Sequence, residues 1–180
     1  MPKTARDSVN GEVVLVVDDE ASIRSLLRME LGSQGYVCVE AGDADAALAL
    51  LGTAFQPSII LCDLNLPGMS GFEFIQQLRQ TSTTAEIIVV TGLHDHQLMR
   101  RAIREGAFDY VLKPFEREDL FLTVQRASEK GRLVRQNRAY QTHLERMVQE
   151  KTKELRAVRD AAILTLAQLA ERRDRTTAAH

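Results

Sequence analysis

Two hydrophobic rhythms alternate along the first two thirds of the chain. Short runs dominated by apolar residues occur at Val13 to Val17, Tyr36 to Glu40, Ile59 to Cys62, Glu86 to Val90 and Asp109 to Leu112. Runs of four or five such residues, rich in valine and isoleucine, are the pattern of strands buried on both faces. Between them the apolar positions fall at helical spacing. Ile23, Leu26, Leu27 and Leu31 mark a helix over 22–31, and Phe74, Ile75 and Leu78 another over 72–78. Asp43 is placed to cap an alanine-rich helix ending near Gly52, and Gly106 to close a fourth helix over 95–105. Strands alternating with helices five times predict a doubly wound α/β domain around a five-stranded parallel sheet with right-handed crossovers.

The rhythm then changes. From Glu116 to about Arg173 the only glycine is Gly131, and no proline follows Pro114. A helix of that length needs more than one turn of packing to hold it. Setting a seven-residue repeat at Ala127 aligns Val134, Gln141, Val148, Leu155, Ala162 and Leu169 with it, a largely apolar set. The companion positions Lys130, Asn137, Leu144, Lys151, Val158 and Thr165 are mostly polar. The expectation is an imperfect coiled coil in a parallel homodimer spanning roughly residues 120–170, with Asn137 helping to set register. A helix folded back on its own domain is the competing reading, and the apolar stripe exceeds what one domain covers.

Composition adds a boundary rather than a class. Hydrophobic residues make up 44% and charged residues 27% of 180, as in ordinary globular proteins. The formal net charge of −2 conceals an asymmetry. Residues 1–126 carry 11 basic against 18 acidic side chains, and residues 127–180 carry 12 against 7. The chain is therefore read as a frayed N-terminus (1–10), a domain (11–126), a helix (127–170) and the start of something further (171–180). The basic helix lacks aromatic interleaving, so nucleic-acid binding is not expected. No membrane-spanning run or signal peptide is visible, and the expected location is cytoplasmic. Cys38 and Cys62 fall in strands and read as small buried residues, and His94 and His96 as solvated side chains.

Chemistry gathers at the carboxyl ends of the strands, where parallel sheets place their sites. Asp18 and Asp19 end the first strand, Asp63 the third, Thr91 the fourth, and Lys113 follows the fifth. Three carboxylates in one pocket repel, and a hard divalent cation such as Mg²⁺ removes that cost. Lys113 and the Thr91 hydroxyl suit phosphoryl oxygens. The chemistry implied is phosphoryl transfer onto a carboxylate. A haloacid-dehalogenase-like phosphotransferase would instead carry its nucleophile on the first strand in an Asp-x-Asp pattern, which Asp18-Asp19-Glu20 does not match.

Residues from about 12 to 126 resemble the receiver domain of two-component response regulators. The resemblance rests on Val-Val-Asp-Asp-Glu ending at Glu20, Asp63 with its Leu-Pro-Gly-Met-Ser-Gly loop, Thr91-Gly92, and Tyr110 ahead of Lys113-Pro114. It implies the strand order 2-1-3-4-5 and Asp63 as the phosphoacceptor. It implies Asp19 as a direct Mg²⁺ ligand, Asp18 acting mainly through water, and the main-chain carbonyl of Asn65 as a further ligand. It also implies Lys113 as phosphate partner, Thr91 and Tyr110 as a switch pair, a cis bond before Pro114, and a histidine kinase or phosphotransfer protein as donor. A second resemblance covers Leu164 to His180. Glu171, Arg173, Asp174, Thr177 and His180 match the opening motif of HD-GYP domains, which hydrolyse cyclic di-GMP at a metal cluster. One histidine holds no such cluster, so residues 1–180 are not expected to be that enzyme, and the resemblance implies an output domain of which only the start is present. A receiver acting only as a scaffold through the helix is the alternative.

Overall fold

The computed structural model describes residues 11–81, 83–92 and 96–177. Strands β1 (Val13–Val17), β2 (Val37–Ala41), β3 (Ile59–Cys62), β4 (Glu86–Thr91) and β5 (Asp109–Leu112) alternate with helices α1 (Ala21–Gly32), α2 (Ala44–Leu51), α3 (Gly71–Gln80), α4 (His96–Glu105) and α5 (Arg117–Thr177). The strands form one parallel sheet in the order β2-β1-β3-β4-β5. Every element expected from the pattern is present, and the differences lie at the ends. β2 begins and ends one residue later than read, and β4 runs on to include Thr91. α3 gains a residue at its start and two at its end, because Ser70 and Glu73 form a capping box ahead of the first apolar position. The expected frayed N-terminus (1–10), His94, Asp95 and His180 lie outside the described residues, as do the side chains of His96, Glu171, Arg173, Asp174 and Thr177.

Alternation along each strand builds two cores. Leu15 and Val17 of β1 join Ile60, Cys62, Ile87 and Val89 on one face, under Ala47 of α2, Phe74, Ile75 and Leu78 of α3, and Ala102 of α4. Val14 and Val16 join Ile59, Leu61, Ile88 and Val90 on the other, under Leu27 and Leu31 of α1 and Leu120, Val124 and Ala127 of α5. Both faces of β3 and β4 are thus dry, and each of their residues is buried. β2 lies at an edge and keeps Val37 exposed.

The chain divides into one compact unit up to Val134 and another from Arg135 onward. Packing on the sheet continues past residue 126. Ala127 is fully buried in the second core, the Ser128 hydroxyl donates to Glu12, and Lys130 pairs with Glu86 at 3.1 Å. Helical periodicity alone does not say where packing on the sheet stops, because the same apolar spacing serves a domain core and a helix pair. Among the described residues no helix is long and apolar enough to cross a membrane.

One glycine is set by close approach. At the start of α3 the Gly71 N–H donates to the Leu64 carbonyl at 3.0 Å, drawing the helix onto the segment that follows β3. A Cβ at Gly71 would overlap the Asp63 carbonyl oxygen and lie 2.6 Å from the Leu64 Cα. Gly71→Ala is expected to lower the unfolding free energy by about 1–3 kcal/mol in urea titrations, as overpacked backbone contacts do. Gly32→Ala, where a Cβ meets nothing within 4 Å, should stay within about 0.5 kcal/mol of the parent.

Candidate functional site

Strand register brings the acids together. Val17 of β1 pairs with Cys62 of β3, so Asp18 and Asp63, the next residues of each strand, leave the sheet side by side. The Asp63 N–H donates to the Val17 carbonyl at 2.9 Å, which extends the ladder by one bond. Asp18 and Asp63 are 1% and 5% exposed, whereas Asp19 faces solvent. One carboxylate oxygen from each of the three comes within 4.8 Å of the others.

Lys113 arrives from β5. Its Nζ lies 2.6 Å from Asp63 Oδ2, 2.6 Å from Asp18 Oδ2 and 3.9 Å from Glu20 Oε1. The remaining oxygens are also engaged. Asp63 Oδ1 accepts the Asn65 N–H at 3.0 Å, and Asp18 Oδ1 accepts the Glu20 N–H at 2.9 Å. Burial by itself would lower the Lys113 pKa, but hydrogen bonds and charge attraction from Asp18 and Asp63 reverse this and hold the ammonium above its ordinary value. The contribution of this ammonium is complete below the ordinary lysine value of 10.5 and is lost only as pH rises through the higher value in the fold.

The other candidates occupy distinct places. Thr91 is fully buried at the end of β4, and its carbonyl accepts the Lys113 N–H at 2.8 Å. The Lys113–Pro114 peptide is cis. Tyr110 stands apart from the acids, 36% exposed beside Met99, Arg100, Ile103 and Arg104 of α4. Cys62 is completely buried and its thiol donates to the Asp63 carbonyl at 3.0 Å. Burial, with Asp63 and Asp18 nearby, pushes that thiol far up, so no thiolate competes in the pocket.

Sequence reasoning missed Arg24. Its Nη1 donates to the carbonyls of both Asp18 and Asp19, at 2.7 and 3.0 Å, and its Nε lies 3.4 Å from Glu40 of β2. Arg28 holds the other oxygen of Glu40 at 3.2 Å. The guanidinium therefore pins the segment that carries the two acids. The signal was a cation in the first turn of α1, where the helix dipole disfavours one, so a compensating partner was to be sought.

The comparisons agree with this geometry. The family model described as the response regulator receiver domain matches residues 14–125. The chain belongs to that family. This receiver is 35% identical over 114 residues to the regulatory protein AtoC of Escherichia coli strain K12, which covers 63% of the chain and 24% of AtoC. It is 38% identical over 119 residues to the transcriptional regulatory protein ResD of Bacillus subtilis strain 168, covering 66% of the chain and 49% of ResD. The matched part thus spans between a quarter and a half of these relatives. Among solved structures, the signal receiver domain of an HD domain-containing protein from Pseudomonas fluorescens Pf-5 superposes with a TM-score of 0.64 at 28% identity, over 68% of this chain and 98% of that one. The receiver of a two-component response regulator is therefore the established identity of this domain.

Removing the lysine should expose what it offsets. Lys113→Met leaves Asp18 and Asp63 buried together without their cation, and in metal-free buffer stability is expected to fall by about 3 kcal/mol. Adding Asp18→Asn to that variant should recover part of the loss. Urea midpoints of the single and double variants make the measurement.

Proposed function

We propose that Asp63 accepts a phosphoryl group from the phosphohistidine of a histidine kinase or phosphotransfer protein, with Mg²⁺ as cofactor. The carrying observation is Lys113 Nζ at 2.6 Å from Asp63 and from Asp18. A phosphoryl group approaching a pocket of three acids meets repulsion, and an ammonium already aimed at the acceptor offsets it. In the transfer, a carboxylate oxygen of Asp63 forms the new O–P bond while the P–N bond to the donor imidazole breaks, and the imidazole leaves with the bond pair and takes a proton. Lys113 exchanges its Asp63 contact for a phosphoryl oxygen and keeps Asp18. The Thr91 hydroxyl binds a second phosphoryl oxygen, and Tyr110, exposed at the outset, turns inward behind it.

The donor set suits Mg²⁺, since three carboxylates clustered within 4.8 Å are hard oxygen ligands. Asp19, Asp63 and the Asn65 main-chain carbonyl would hold it, and Asp18 would act mainly through water. When bound, the ion neutralises charge on the transferring group. Arg24 keeps the two aspartates of the first loop in place for it.

The output proposed is a cyclic di-GMP phosphodiesterase reached through α5 as a homodimer. Two observations support it. Residues Glu171 to His180 carry the opening motif quoted above, and the Pseudomonas neighbour is the receiver of an HD domain-containing protein. The receiver itself does no more than accept the phosphoryl group and release it to water. A receiver acting by protein contact alone has no use for the Glu171–His180 motif.

Incubation with acetyl phosphate and Mg²⁺ is expected to add one hydroxylamine-labile phosphate per chain, read by intact mass. Asp63→Asn should abolish the adduct, and EDTA should suppress it at least tenfold. Undiminished labelling of Asp63→Asn would overturn the assignment.

A further inference from the structure

We infer that the Asp109 carboxylate is a positioning group that holds Tyr110 in its exposed place by tying that residue's main chain to α5. This rests on the reading of Tyr110 as a switch given above and names what restrains it. β5 is the last strand of the sheet, so alternate N–H groups along its outer edge have no neighbouring strand to donate to. The Tyr110 N–H donates to Asp109 Oδ1 at 2.9 Å. The other oxygen of the same carboxylate, Oδ2, lies 3.3 Å from Arg126 Nη1 of α5. One planar group therefore touches both the main chain of the switch residue and the last helix.

The α5 end of this tie is itself held. The Arg126 guanidinium lies 5.8 Å from the centre of the Phe108 ring, and Lys130 Nζ, one turn on, lies 4.9 Å from it. Lys130 also pairs at 3.1 Å with Glu86, the first residue of β4. Phe108 thus faces two cations of α5, and the helix is fastened at this level to β4 and to the start of β5. With α5 fixed, a shift of the Tyr110 main chain stretches the Asp109–Arg126 pair. The Tyr110 ring lines a groove with Met99 and Ile103 of α4 and is 36% exposed. The restraint therefore lies in the main chain rather than in packing around the ring.

Exposure sets the size of the effect. The side chains of Arg126 and Asp109 are 56% and 23% exposed, and an ion pair so open to water shifts an equilibrium by about two- to fivefold. That is too little to decide whether the domain folds, and enough to move a two-state side chain. What holds Tyr110 outward also opposes the phosphoryl group that draws it inward, by the same factor. Through this one pair, α5 and the phosphoacceptor pocket bias each other.

The test uses the full 180-residue chain labelled with 3-fluorotyrosine, with and without Mg²⁺ and beryllofluoride as a non-covalent phosphoryl mimic. The Tyr110 fluorine signal, one of three, is assigned with Tyr110→Phe. Arg126→Gln and Asp109→Asn are each expected to move the mimic-free signal toward its saturated position, raising the inward-to-outward ratio about threefold. The beryllofluoride dissociation constant should fall by the same factor while urea midpoints stay at the parent value. The double variant should do no more than either single one, and Arg126→Lys should restore the parent ratio. Asparagine keeps an acceptor for the Tyr110 N–H, so a response to Asp109→Ala but not to Asp109→Asn would reveal a local cap and overturn the tie to α5. Unmoved signals in both single variants, with a responsive parent, would overturn the inference and leave the switch reading intact. A parent signal that ignores the mimic would remove the switch reading and this inference with it.

Discussion

The structure depends on one ammonium holding two buried carboxylates at the carboxyl edge of the sheet. Asp18 and Asp63 are almost fully removed from water, and at that depth like charges cannot sit side by side without a counter-charge. Lys113 reaches both from a strand two places away from β3 in the sheet, closing a bridge between residues 50 and 95 positions apart in sequence. No local element could make that contact. It exists because parallel strands deliver their carboxyl ends to one edge, and because the register Val17 to Cys62 brings the acids level.

Around that bridge the fold spends its packing on keeping the edge in place. The two cores clamp β3 and β4 from both faces, which leaves the strand ends little freedom to shift. α3 is drawn against Asp63 and Leu64 so closely that only glycine fits at Gly71. Arg24 ties the Asp18–Asp19 segment to Glu40 on the edge strand. The site is thus held by backbone contacts on one side and by a guanidinium on the other, while Asp19 stays open to solvent.

α5 serves two packing regimes in one helix. Its first turns bury Leu120, Val124 and Ala127 on the sheet, and its later turns expose a stripe from Tyr140 to Val158. Between them Ser128 and Lys130 fasten the helix to Glu12 and Glu86, at the end of the sheet away from the acids. The proposed relay uses that continuity, since the helix that packs on the sheet is the helix that runs on past Val134.

The alternation of apolar runs with helical spacing was enough for fold class, because burial on both faces leaves a parallel strand no freedom to be polar. Asp18, Asp19, Asp63 and Lys113 were legible as well, since each follows directly on an apolar run and a parallel sheet gathers such ends. The extent of packing on α5 was not, because Ala127 and Leu155 look alike to a periodicity argument, and only the position of the sheet separates them. Nor were the partners of Arg24, because its place in the first turn of α1 calls for a compensating group without saying that the Asp18 and Asp19 carbonyls and Glu40 supply it. Sequence alone therefore determined which residues can be buried and which charges reach the edge, as those are local properties of each element. Tertiary structure decided which charges touch and where the domain releases its last helix, because both follow from the register of strands distant in the chain.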